Sequence, residues 1–167
     1  MEDGGLMTFE LYHNIAPQSV RNFVYLAKQG FYDGLKFHRI MEGFMIQGGC
    51  PNGAGNGNPG HFIFGEFDAN GFENNLKHER GVMSMARRGD DMNSAGSQFF
   101  ICHADRFHLD GDYAAFGRII DGMDVVDEIA KTPVIGNNGQ VSPEDMPVIK
   151  TITIDYEGKV PEPDKRS

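Results

Sequence analysis

Between residues 6 and 12 the chain reads LMTFELY, with Met7, Phe9 and Leu11 on one side of an extended backbone and Thr8, Glu10 and Tyr12 on the other. Strict alternation predicts a half-buried strand. The period then changes. In APQSVRNFVYLAKQG, Val20, Phe23, Val24 and Ala27 recur at helical spacing behind Pro17. Proline suits the first helical position, where its missing N–H is not needed, and Gly30 marks the stop. One face of this helix packs on a core.

Short apolar runs at 36–41, 44–47, 62–67, 82–86, 98–103 and 115–120 predict further strands. Residues 123–131 predict a second helix with Val125, Val126, Ile129 and Ala130 on its apolar side. A last alternation, VIKTITIDY at 148–156, sets Ile149, Thr151, Thr153 and Asp155 against Lys150, Ile152, Ile154 and Tyr156. The following EGKVPEPDKRS offers too little apolar surface to repay ordering. A single domain over 1–156 with a polar, disordered tail at 157–167 is expected. Many short strands and two distant helices do not suit alternating βαβ units. They suit a mostly β fold, a closed antiparallel barrel with helices over its open ends.

Composition narrows the class. The 22 glycines are spread along the chain, as tight turns between short strands require. At 167 residues the chain fits one domain. A net charge of −9 and a pI near 5.0 argue against nucleic acid or an anionic membrane as partner. Arg87 and Arg88 form the only tight basic pair before the tail. No apolar run approaches a membrane span and no leader pattern opens the chain. Cys50 and Cys102 form no CxxC pair, which points to a reducing, cytoplasmic setting.

Several motifs read as structure rather than chemistry. GNGNPG at 55–60 fits a dinucleotide fingerprint in letters, but Pro59 interrupts it and a strand rather than a helix follows. It reads as a surface loop. Cys102, His103 and His108 lack a fourth metal ligand at a usual spacing, so no metal or cofactor is expected. Cys102 lies in the apolar FFIC and reads as packing, while Ser84 and Ser97 lack a nucleophile elbow.

Arg39 is different. In FHRIMEGFMIQGG it is the one cation in an apolar, glycine-rich run, with only Glu42 as a nearby acid. Charged side chains are rarely buried without a partner. Phe37 shares strand parity with Arg39, and the pattern does not place it. With GSQFFI (96–101) and HLDG (108–111), the run supplies an apolar pocket edged by an arginine and neutral amides. Such a site binds a compact, uncharged apolar group without acid, base or nucleophile.

FHRIMEGFMIQGG, GSQFFI and LDGDYAAFGRIIDGMDVVDEI strongly resemble the cyclophilin family of peptidyl-prolyl cis–trans isomerases, particularly the short bacterial cytoplasmic kind, over residues 6–156. The resemblance implies a closed eight-stranded antiparallel barrel capped by two helices. It implies Arg39 as the catalytic arginine with Gln47 beside it, and Phe44, Met45, Phe100 and Leu109 as the proline pocket. Ala86 and Arg87 match the pair whose backbone binds peptide, although the family more often has asparagine where Arg87 stands; Gln98 matches the same wall.

Departures also follow from the resemblance. His108 stands where the best-known eukaryotic members have tryptophan and Tyr113 where they have histidine. The smaller ring at His108 is expected to weaken cyclosporin binding more than turnover. ARRGDDMNSAGSQ is longer than the eukaryotic pattern. The family has a strand before the turn that MEDGG resembles. Either the sequence starts at an internal methionine or the barrel lacks one edge, with strand 148–156 then partly unpaired. The implied activity is isomerisation of X-Pro bonds in peptides and unfolded proteins by a monomer. The alternatives are a non-catalytic proline-peptide module or chaperone, and a structural barrel with a vestigial groove.

Overall fold

The computed structural model describes residues 1–156, 158–159 and 161–167. Strand β1 is Thr8–Leu11 and helix α1 Pro17–Lys28; β2 is Phe37–Met41, β3 Met45–Gly48, β4 Val82–Met85, β5 Phe99–Cys102 and β6 Ala115–Asp121, with α2 at Met123–Ala130. The fold is therefore mostly β with two helices. Ala16 gives α1 no side-chain cap. The buried carboxylate of Glu66 takes that place, accepting the N–H groups of Gln18 and Ser19, each at 2.8 Å, and the Ser19 hydroxyl at 2.7 Å. An anion satisfies the exposed donors of a helix start and suits its dipole.

Six strands form one sheet in the order β1-β6-β4-β5-β3-β2, antiparallel at every pairing. The end strands β1 and β2 do not pair, so the expected closure and count of eight are corrected among the described residues. The reason is that alternation predicts an extended chain but supplies no neighbour. Residues 62–67 make only the bridges Phe62–Arg166 and Ile63–Ala95. In 148–156, Val148 bridges Lys36 and Ile149 exchanges hydrogen bonds with Gly34 and Leu35, while 150–156 form no strand. Ile152 and Ile154 still pack half-buried on the core.

Of the expected tail, residues 157 and 160 lie outside the described residues. Arg166 trades backbone hydrogen bonds of 2.8 and 2.9 Å with Phe62, and Asp164 meets Gln18 on α1. Composition signals only apolar burial, and such backbone pairing leaves no mark in it.

One face of the sheet meets α1 and α2 through the main core, where Phe23 packs on Tyr32, Phe99 and Phe116. A bulge in β2 decides which side chains leave that core. Phe37 pairs with Gly48 and Arg39 with Gln47, so two steps on β2 oppose one on β3. Bulges re-aim side chains beside functional sites. Phe37 and Ile40 consequently both enter the core, and Arg39 goes to the other face despite sharing parity with Phe37.

Candidate active site

Register lays one row of side chains across that second face. Arg39 stands opposite Gln47, Gln47 opposite Phe100, and Phe100 opposite Ser84. Strand alternation sends Met45 and Cys102 to the same side. There Met45, Phe100, Cys102 and Leu109 form a second buried cluster, with Met41, Phe44, Ala86 and Tyr113 packed around it. The cluster opens into a groove of about 480 Å³, a volume suited to a small apolar group.

Arg39, Phe44, Met45, Gln47, Ala86, Arg87, Phe100, Leu109 and Tyr113 line this groove. Gln98 and His108 do not. Gln98 donates to the carbonyls of Gly55 (2.9 Å) and Gly57 (3.0 Å) and accepts from Gln47 (3.1 Å), so it braces the 53–57 loop and reaches the groove through Gln47. The ring of His108 packs on that of Phe44, 5.9 Å between centroids. Arg87 lies over the rings of Tyr113 (4.8 Å) and Phe67 (5.1 Å) and donates to the carbonyls of Asp112 and Arg88 at 2.9 Å each. Its guanidinium is thus locked as part of the wall.

Arg39 needs no acid. Its Nε donates to the Asn138 carbonyl (2.9 Å), Nη2 to Asn138 Oδ1 (3.0 Å) and Met41 Sδ (3.4 Å), and Nη1 to Gln47 Oε1 (3.3 Å). A guanidinium carries five donors. One Nη1 hydrogen therefore has no protein acceptor among the described residues, and Arg39 lines the apolar groove. Burial presses the Arg39 pKa below its ordinary value, with Tyr113 acting the opposite way. Beside it His38, 6% exposed, is held below the usual histidine range by burial first and by Arg39 second.

Beneath Phe100 lies a polar trio that sequence reasoning missed. His78 Nδ1 is 2.9 Å from Asp110 Oδ1 and Nε2 is 3.0 Å from Ser84 Oγ, while the His78 ring stacks on Phe100 at 6.0 Å. Burial lowers the His78 pKa, against the raising effect of its Asp110 bond. The neutral ring then donates from Nδ1 to Asp110 and accepts the Ser84 hydroxyl at Nε2, a tautomer assigned from the network. This has the connectivity of a hydrolytic triad, but Ser84 is 0% exposed and lies under Phe100, so no substrate carbonyl reaches it. The trio supports the pocket.

The other candidate groups are occupied structurally. Cys102 packs under the pocket, its thiol pushed up to about 12 by burial. His103 accepts the Gly43 N–H at Nδ1 (2.7 Å) and meets Asp127 at Nε2 (2.9 Å). GNGNPG continues a loop in which Cys50 Sγ accepts the N–H groups of Gly55 and Gly57. Sequence reasoning also missed Asn138, Gln140 and Met146, which line the groove from a segment without hydrophobic period. Its glycines mark turns, and nothing in the letters aims those side chains.

Fold and site together present an apolar slot, lined by Phe44, Met45, Phe100 and Leu109, with the Arg39 guanidinium held beside it by hydrogen bonds. The family model for cyclophilin type peptidyl-prolyl cis-trans isomerase/CLD matches residues 1–154. A peptidyl-prolyl cis-trans isomerase of Helicobacter pylori is 49% identical over 133 residues, 78% of each chain. Peptidyl-prolyl cis-trans isomerase B of Bacillus subtilis is 44% identical over 135 residues, 81% of this chain and 90% of that one. The crystal structure of a cyclophilin type isomerase of Cryptosporidium parvum, determined in the presence of the dipeptide ala-pro, superposes with a TM-score of 0.78 at 34% identity, covering 90% of this chain and 93% of that one. The chain belongs to the cyclophilin-type peptidyl-prolyl cis-trans isomerase family, and its activity is isomerisation of X-Pro peptide bonds.

Proposed function

We infer that Arg39 is the catalytic donor of this reaction and that the Phe44, Met45, Phe100 and Leu109 cluster holds the substrate's proline ring. The observation that carries the reading is the uncommitted Nη1 hydrogen of Arg39, a residue that lines the same groove. Rotation about X-Pro breaks amide resonance at a barrier of about 18–20 kcal/mol and takes tens to hundreds of seconds unaided. Raising the rate about 10⁵-fold requires lowering the barrier by roughly 7 kcal/mol.

In the twisted transition state the prolyl nitrogen gains a lone pair that the planar amide lacks. A donor aimed at it binds the transition state better than the ground state, which is what accelerates a reaction. One preorganised donor contributes roughly 3–4 kcal/mol. Clamping the ring while the preceding carbonyl swings, with water kept from the Arg39 bond, provides the rest. The Ala86 N–H is already given to the Gln98 carbonyl at 3.0 Å, which leaves the Ala86 carbonyl and the Arg87 backbone as the proposed partners of the peptide on this wall. No proton leaves the substrate, and neither metal nor cofactor enters.

The structural relative's ala-pro dipeptide supports proline-containing peptides and unfolded chains as partners. We propose that the protein assists slow folding steps, acting in the cytoplasm as a monomer. Among the described residues no helix is long and apolar enough to cross a membrane. Catalysed exchange of an Ala-Pro peptide, followed by NMR, tests the assignment: Arg39→Lys, which keeps the charge but loses the fork, should lose most activity. Near-normal exchange in that variant would sink it. His108 leaves the cyclosporin contact small, and His108→Trp should tighten inhibition by cyclosporin about tenfold in the same assay, with turnover within about threefold. Equal inhibition of both proteins would remove His108 from that contact.

A further inference from the structure

Strand β2 ends the sheet, and an end strand presents unpaired backbone groups. The loop after α2 covers that edge. Ile40 N–H donates to the Gly139 carbonyl (2.7 Å) and Val141 N–H to the His38 carbonyl (3.1 Å), with Arg39 bridged to Gln140. A second bridge, Ile135 to Gln140, folds the loop on itself. Gly139 adopts φ +74°, and a Cβ there would sit 2.3 Å from the Ile40 carbonyl oxygen, so only glycine lets the loop approach this closely. The close approach delivers Asn138 to Arg39.

Asn138 engages one edge of the guanidinium with two oxygens, its own carbonyl on Nε and its Oδ1 on Nη2. Gln47 takes one hydrogen of the opposite corner, Nη1. Two acceptors from a single residue fix both the plane and the rotation of the fork, which one acceptor does not. We propose that Asn138 is a positioning residue for catalysis, holding Arg39 so that its free Nη1 hydrogen faces the prolyl nitrogen. An amide suits the task. It accepts from the guanidinium without neutralising the charge that must attract the developing lone pair, as a carboxylate would. This inference rests on the role assigned to Arg39.

Asn138 is exposed, so Asn138→Ala should fold with an unchanged melting temperature. Its kcat should fall about three- to tenfold with KM unchanged, the range of an ordinary hydrogen bond and below that of a buried one to a charged group, because Asn138 is exposed. In an Arg39→Ala background the same change should have no further effect. The Arg39 Nη2–H signal in low-temperature ¹⁵N NMR, which reports the bond to Oδ1, should shift and exchange faster with water in Asn138→Ala. Asn138→Asp, which keeps an acceptor on Nη2 but adds a neutralising charge, should keep the slow exchange of a bonded Nη2–H and still lower kcat. Wild-type kcat in Asn138→Ala, with Arg39→Ala still impaired, would overturn the positioning role and leave the site reading intact. An equal loss in both backgrounds would also overturn it. If Arg39→Ala itself keeps full activity, the reading of the site fails first, and the inference with it.

Discussion

Two polar networks meet at Phe100 from opposite sides. On the groove side, Asn138, Arg39, Gln47 and Gln98 run as a chain of hydrogen bonds to the 55–57 loop, with an Arg39 Nη1 hydrogen among the donors left without a protein acceptor among the described residues. On the buried side, His78 joins Ser84 to Asp110 beneath the same ring, and Asp110, half-buried, also accepts the His78 N–H and meets Lys77 at 3.6 Å. Residue types alone mislead. The buried trio has the groups of a hydrolase and no access, while the open chain has neither nucleophile nor base and faces the slot. A network acts on a substrate through what it leaves unsatisfied toward solvent. A network closed on itself holds its neighbours in place.

Substitution on each side should give opposite signatures. The largest expected effect is on the open side: Arg39→Ala should lower kcat/KM by about 10²–10³-fold, the range for a lost transition-state donor, while the urea midpoint stays near that of the wild type. On the closed side, His78→Ala strands the buried Ser84 hydroxyl, opens a cavity and removes the stack under Phe100. A stability loss of about 3 kcal/mol is expected, read as a lower urea midpoint, with kcat/KM falling only severalfold. Loss of activity and stability in parallel for both variants would erase the distinction between the networks.

How much of this was legible follows from where each signal resides. Period alone placed β1, α1 and α2, because Phe9, Phe23 and Ile129 sit where alternation or helical spacing puts a core. Arg39, Gln47 and Phe100 came from motifs lying on strands that register then aligned. The bulge beside His38 has no compositional mark, so Phe37 was not placed. Asn138 arrives by docking of an aperiodic loop on a free strand edge. His78 and Asp110 lie 32 residues apart and meet only through the turn that carries Leu109. Strand pairing at 62–67 and 150–156 depends on a neighbour that no local pattern supplies.

Proton binding offers the finest separation of the two networks. Burial holds the folded-state pKa of His78 below that of an exposed histidine, near 6.5, whereas the unfolded chain takes up a proton around that value. The neutral ring thus contributes stability that is fully present above about pH 6.5 and is lost as pH falls toward the lower folded-state pKa. His38 and His61, also lowered chiefly by burial, act in the same direction. The urea midpoint should therefore drop between pH 7 and pH 5.5, and His78→Gln should make that drop smaller. Over pH 6.5–8 kcat/KM should stay flat, because the open network moves no proton and Arg39 remains charged throughout. A midpoint that instead rose as pH fell would mean that folding raises the His78 pKa and that the closed network is an ion pair. A kcat/KM that titrates in the flat window would place a proton-moving group in the groove and remove the contrast from the other side.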